Sequence, residues 1–240
     1  MPIEKGIYFN SDNHRLCGIL HLPLDHHEQT PCIIGAHGLF SDASSQKQIA
    51  LAKACNAKNM AYFRFDHRGC GRSEGDFKAE TTITNRHRDF CNAVQTIQNN
   101  SDIGNNFGYF GSSMGGSIAL LTGLSLPPRA TVTLSTPISM NSVWEVLVKN
   151  NQDQQLSKDF YNEAMDFNIL DQVSQINNIL IFHGTNDEVV PKNNALKLHD
   201  AVGEPKELLL FADGCHQLSD EKHQAIFIEK AAEWFERYLF

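Results

Sequence analysis

Residues 107–120 read Phe-Gly-Tyr-Phe-Gly-Ser-Ser-Met-Gly-Gly-Ser-Ile-Ala-Leu: an apolar strand, a Gly-x-Ser-x-Gly turn and the start of a helix in one stretch. So abrupt a reversal restricts the fold, because the helix must pack back over the strand it has just left. Gly111 and Gly115 permit that approach, since side chains at either position would hold helix and strand apart. The spacing predicts Ser113 at the apex in a strained backbone conformation that stands its Oγ clear of the chain. The helix behind it directs free N–H groups and a positive dipole end at the place where an oxyanion would form. Two phosphate-cradling readings fail. Gly111 and Gly116 have the P-loop separation, but Ser117 stands where its lysine belongs, and in Gly69-Cys70-Gly71-Arg72-Ser73-Glu74 a glutamate occupies the position of the last glycine of a dinucleotide fingerprint.

Around this turn, strand-like and helix-like segments alternate, the pattern of helices wrapped on both faces of a mostly parallel sheet, so the fold class expected is α/β. Residues 5–10 and 14–22 predict an antiparallel hairpin turning at Ser11-Asp12-Asn13. Short apolar runs at 32–36, 60–65, 107–110, 130–135, 178–182 and 206–211 suit buried strands. Ile83, His87, Phe90, Val94 and Ile97 fall on one helical face, as do Ala225, Ile228, Ala232, Phe235 and Leu239. No repeat or interdomain linker interrupts the 240 residues, which are expected to form one domain.

Charge and cysteine usage narrow the function classes. A formal charge of −8 with no basic run gives no reason to approach nucleic acid or an anionic membrane. Six cysteines without a C-x-x-C pair or metal-ligand spacing read as reduced thiols. Met1–Gly6 lacks a basic region followed by an apolar one, and no apolar run could span a bilayer, so a cytoplasmic protein is expected. No metal or cofactor is expected. Nothing in the sequence speaks to oligomeric state.

The polar motifs fall at the carboxyl ends of the expected strands, where an open α/β sheet places its ligands. They are His37-Gly38-Leu39-Phe40, Asp66 to Ser73, the Ser113 turn, His183 to Pro191 and Asp213 to Leu218. In chain order and content this set resembles the α/β-hydrolase superfamily along essentially the whole chain, on the side of its serine esterases and serine aminopeptidases, with feruloyl and cinnamoyl esterases as suggestive relatives. The resemblance implies Ser113 as nucleophile, Asp187 as acid and His216 as base, in the superfamily's order of serine, acid, histidine. It implies an oxyanion loop at His37–Phe40, with the backbone N–H groups of Leu39 and Met114 as donors. Ser112 departs from the histidine that many esterase and lipase relatives carry there, which bears on subfamily and not on the triad.

The chemistry of the residues agrees with these roles. A serine hydroxyl is a weak nucleophile at neutral pH, so an imidazole must take its proton and a carboxylate must orient that imidazole. Glu188 and Asp213 compete with Asp187 for the acid's role. Asp66, Arg68 and Ser73 are expected to build a supporting turn, His37 to brace the oxyanion loop, and Cys215 to have no chemical part. Residues 136–177 are expected to form a small cap of one or two helices, with apolar spacing at Val143, Trp144 and Leu147 and again at Leu156, Phe160, Ala164 and Phe167. Phe40, Trp144 and Phe160 are the candidate substrate-binding side chains. The cap is too short to enclose a large lipid tail. The expected function is a serine hydrolase cleaving small-molecule carboxylic esters through an acyl-enzyme. The alternatives are a thioesterase or peptidase on the same fold, or a ligand-binding relative without activity.

Overall fold

The computed structural model describes residues 3–240; Met1 and Pro2, which begin the stretch read above for a targeting signal, lie outside the described residues. Strands β1 (Ile3–Ser11) and β2 (His14–Leu22) form the expected hairpin. They are followed by β3 (Cys32–Ala36), β4 (Ala61–Phe65), β5 (Phe107–Ser112), β6 (Ala130–Leu134), β7 (Ile179–Gly184) and β8 (Lys206–Phe211). One sheet results, ordered β1-β2-β4-β3-β5-β6-β7-β8, in which β2 runs antiparallel to both neighbours and all pairs from β4 to β8 are parallel.

Helices cover both faces, and the central strands are apolar on both sides for that reason. In β3 and β4, Ile34, Ala36, Phe63 and Phe65 face one core while Ile33 and Tyr62 face the other. Helices α1 (Gln46–Ala57) and α8 (Glu221–Leu239) pack together on the second side. The short α2 (Phe77–Glu80), α3 (Ile83–Gln98), α4 (Met114–Ser125) and α7 (Asn193–Ala201) complete the body, with α3 and α4 on the first side.

Two helix faces differ from their expected positions. In α8 the buried residues are Phe227, Ala231, Ala232, Trp234, Phe235 and Leu239, while Ala225 is exposed and Ile228 half-buried. The aromatic pair Phe227 and Trp234 turns the face toward the sheet and leaves Ala225 outside. In α3 the half-buried His87 gives way to Arg86 and Asp89, both completely buried. An apolar pattern cannot reveal such residues, because each is buried only by virtue of partners supplied from other elements.

Between β6 and β7 the chain makes an excursion closed at its base by a bridge between Ser139 and Asn168. It contains α5 (Asn141–Lys149), a short 3-10 turn, and α6 (Lys158–Asp166), whose N-terminus is capped by Ser157 accepting from the Phe160 N–H. Leu156, Phe160 and Ala164 join the same core as β3, β4 and α3. No helix among the described residues is long and apolar enough to cross a membrane.

Candidate active site

The turn after β5 places Ser113 at φ = 53° and ψ = −128°, a conformation that costs a non-glycine residue about 1–3 kcal/mol. Neighbours hold it there: the Ser113 N–H donates to Leu134 O at 2.8 Å and its carbonyl accepts from the Gly116 N–H at 2.8 Å. A Cβ on Gly111 would overlap the backbone of Gly115 and Gly116, and one on Gly115 would overlap the carbonyls of Ala36 and His37. Those two glycines serve close approach, not an unusual φ.

Asp187 follows β7 and His216 follows β8, so three strand ends converge. His216 Nε2 lies 3.1 Å from Ser113 Oγ, and its Nδ1 lies 2.9 Å from both carboxylate oxygens of Asp187. A carboxylate only accepts, so the ring proton sits on Nδ1 and Nε2 is left with a lone pair facing the hydroxyl. The side chain of Asp187 is fully buried. Burial alone would raise its carboxyl, but hydrogen bonds from His183 and His216 and from the Val190 N–H outweigh that and hold it below the usual carboxylate range. Oδ1 also accepts from the N–H groups of Val189 and Val190 at 2.9 and 2.8 Å.

His183 completes this corner and has no role in the sequence reading. Buried at the end of β7, its Nε2 lies 2.8 Å from Val190 O and 3.3 Å from Asp187 Oδ2, donating toward both. The signal was its place four residues before the acid in His183-Gly184-Thr185-Asn186-Asp187. The competing acids are otherwise engaged: Glu188 accepts from the His216 backbone N–H at 3.2 Å, and Asp213 from the Asn186 amide at 3.1 Å. Cys215 meets Ser219 Oγ at 3.2 Å, and hydrogen bonds from Ser219 lower its thiol.

Facing the turn is the His37–Phe40 loop, where a Cβ on Gly38 would come within 3.4 Å of Ser112 O and 3.5 Å of Ser113 Cβ. The first orphan N–H of α4 is that of Met114, and neither it nor the Leu39 N–H has an acceptor among the described residues. Behind the loop, Arg86 donates from Nη1 to Gly38 O at 3.1 Å and from Nη2 to Leu39 O at 2.9 Å. His37 Nδ1 donates to the same Gly38 carbonyl at 2.9 Å while its Nε2 accepts from the His67 N–H. The Gly38 carbonyl and the Leu39 N–H belong to one peptide group, so the charge-assisted bond from Arg86 and the neutral one from His37 both polarise that N–H. Burial pushes His67 down to about 4 and His37 well below its ordinary value, which keeps both neutral beside Arg86.

The next layer is built from the residues expected to form a supporting turn. Asp89 takes two hydrogen bonds from the Arg68 guanidinium and one from Ser11, and Asp66 accepts from the N–H groups of Ala43 and Arg72. Ser73 Oγ donates to Asp66 O.

A cleft of about 430 Å³ opens in front of Ser113 and His216. Gly38, Leu39, Ser112 and Ser113 line it, with Val143, Val146 and Leu147 of α5 and Asn150 just past that helix's end. Phe40 lines it as well. Trp144 and Phe160 do not: Phe160 is completely buried, and the Trp144 ring packs on Phe160 and Tyr161 at 6.3 and 4.9 Å. The expectation for those two is therefore corrected. Cleft-lining residues of α5 and its C-terminal cap recur at i, i+3, i+4 and i+7, and Trp144 lies one position off that stripe.

The chain matches the family model described as Serine aminopeptidase, S33, over residues 27–152, which takes in the His37–Phe40 loop and the serine turn. Palmitoyl-protein thioesterase ABHD10, mitochondrial, of Mus musculus is 24% identical over 217 residues, 80% of this chain and 71% of that protein. The protein YfhR of Escherichia coli K12 is 27% identical over 207 residues, 84% of this chain and 69% of its own length. Among solved structures, Est1E of Butyrivibrio proteoclasticus with bound ferulic acid superposes with a TM-score of 0.82 at 18% identity, covering 97% of this chain and 98% of that one. Mouse ABHD10 does so with a TM-score of 0.79 at 20% identity, covering 97% and 99%. With a family match over more than half its length and the sheet order and strand-end turns described above, the chain belongs to the serine aminopeptidase S33 family of the α/β-hydrolase superfamily.

Proposed function

We propose that this protein is a serine hydrolase that cleaves carboxylic esters of small or medium acyl or aryl groups through an acyl-enzyme. One observation carries the reading: a single imidazole spans from Ser113 Oγ to Asp187, with three different strand ends supplying the three groups. Ser113 Oγ attacks the substrate carbonyl as His216 Nε2 takes its proton, and Asp187 stabilises the imidazolium that forms. The tetrahedral oxyanion sits against the N–H groups of Leu39 and Met114. His216 then hands its proton to the departing oxygen, and water repeats the sequence on the acyl-enzyme.

The chain acts as one domain with residues 136–177 as a small cap, on a small molecule in a reducing, cytoplasmic setting. A thioester is the second reading, favoured by the name of the mouse relative. The same acyl-enzyme serves both, and matched ester and thioester substrates with one acyl group rank them by kcat/KM.

The test is an activated short-chain ester together with a fluorophosphonate. Burst release of the alcohol and a single label on Ser113, found by peptide mapping, are expected. Labelling of Ser112 would sink the nucleophile assignment, and labelling of no serine, with no burst, would favour a ligand-binding relative.

A further inference from the structure

The cleft in front of Ser113 has a mixed lining. Val143, Val146 and Leu147 of α5, with Val189, supply apolar lining, and Ser45, Lys47 and Gln217 supply polar lining. His216 aside, Lys47 is the only ionisable side chain among the described residues lining the cleft, and no carboxylate lines it there. In a chain of net charge −8 this is a local reversal of sign. The Lys47 ammonium donates to Gln217 O at 2.5 Å, which uses one of its three protons. Ion pairs among the described residues engage Lys5, Lys58, Lys206 and Lys230, and none engages Lys47. Burial lowers the proton affinity of Lys47, and the nearby Cys215 thiol offsets part of that. Ser45 caps no backbone N–H with its hydroxyl, which is free to donate beside it.

The position of Lys47 relative to His216 decides which part of a substrate it meets. His216 must reach the departing oxygen to protonate it, and Gln217, whose carbonyl Lys47 holds, is the next residue. Lys47 thus flanks the leaving-group side, while Val143, Val146 and Leu147 receive the acyl chain. We propose that Lys47, with Ser45, forms a subsite for an anionic leaving group, so that the preferred substrates are esters whose alcohol portion carries a carboxylate. This rests on the hydrolase reading above. The scissile C–O bond breaks after Ser113 Oγ bonds to the carbonyl carbon, the serine proton passing through His216 to the departing oxygen. Lys47 transfers nothing and only binds.

Two acetyl esters test this, one of para-hydroxybenzoate and one of its neutral counterpart para-hydroxybenzamide. The wild-type protein is expected to favour the charged ester in kcat/KM by about tenfold or more, a preference that shrinks as ionic strength rises. Lys47→Met should lower the charged-to-neutral ratio at least about tenfold, Lys47→Arg should keep much of it, and Lys47→Glu should invert it. A wild-type protein that turns over the neutral ester and labels at Ser113 but shows no preference overturns this inference alone. So does a Lys47→Met variant in which both esters fall in proportion, since the lysine would then only pin the Gln217 loop. Failure of either ester to react, with no label on Ser113, overturns the hydrolase reading and this one with it. The salt dependence is read on unmutated protein, so a poorly folding variant does not protect the proposal.

Discussion

The two halves of the candidate site are built in different ways. The nucleophile half, Ser113 and the loop across from it, rests on close backbone contact and on buried polar groups: His37, His67, Arg86 and Asp89 are all essentially without solvent exposure. The acid–base half hangs on the ends of β7 and β8, where Asp187 is buried but His216 keeps 16% of its side-chain surface in solvent. A fixed oxyanion site needs donors that do not reorganise as charge appears, which a buried scaffold supplies. A proton carrier must face two partners in turn and tolerates more freedom. The comparison implies that damage to the first half acts through supporting residues, and damage to the second through the groups themselves.

The largest expected effect tests the second part of that statement. Ser113→Ala and His216→Ala should each lower kcat by about 10⁵–10⁶, and the double variant by hardly more, because such groups act as a unit. Asp187→Asn should cost less, about 10⁴, by presenting the wrong hydrogen-bond partner to Nδ1. Glu188→Gln touches only a backbone N–H and should be mild. If Glu188→Gln or Asp213→Asn in folded protein proved more damaging than Asp187→Asn, the acid would have been misassigned.

A smaller effect tests the first half. Arg86 makes no ion pair among the described residues and spends its donors on the carbonyls of Gly38 and Leu39 and on Cys70 Sγ. Arg86→Met should lower kcat by about 10–100-fold with little change in KM, less than the 10²–10³ typical of deleting an oxyanion donor outright, since Arg86 acts through Leu39. Some stability is lost too, about 1–3 kcal/mol for the Leu39 carbonyl left without Arg86, while Gly38 O keeps its bond from His37. Affinity for a boronic acid, which mimics the tetrahedral state, separates the two effects when compared with affinity for the planar product acid. Equal losses for both ligands would reduce Arg86 to a packing residue.

The same contrast explains what the sequence made legible. Ser113, Asp187 and His216 stand at strand ends in motifs of fixed order, and the strands around them are continuous apolar runs, so local chemistry and position were readable together. Arg86, His67 and Asp89 were not. Each is polar, sits on a helix or loop with ordinary spacing, and is explained only by partners dozens of residues away, such as Ser11 against Asp89 or Gly38 against Arg86. His183 lies between the cases, inside a quoted motif but with a function that depends on the fold of Val190 back over it. The α5 stripe failed for a narrower reason. Trp144 and Leu147 share a helical spacing of three with each other, and size drew attention to the tryptophan, whereas the cleft selects Val143, Val146, Leu147 and Asn150.

That last distinction can be measured, with the smallest expected effect. Val146 is half-buried and faces the cleft, so Val146→Ala removes wall without opening a core cavity. Losing two methyl groups from a pocket wall is worth about 1–3 kcal/mol in discrimination, so the ratio of kcat/KM for long and short acyl esters should rise by roughly tenfold. Phe160 behaves in the opposite way. Its ring is completely buried between the excursion and the main core, so Phe160→Ala should cost about 3–5 kcal/mol of stability by leaving a cavity. Its surviving folded fraction should keep the acyl-length ratio of the wild-type protein. Acyl-length profiles and Tm values for the two variants decide the matter together. A profile shift in Phe160→Ala with none in Val146→Ala would mean that the excursion shapes the cleft from its interior and not through the α5 stripe, and the difference drawn here between wall and packing would be lost.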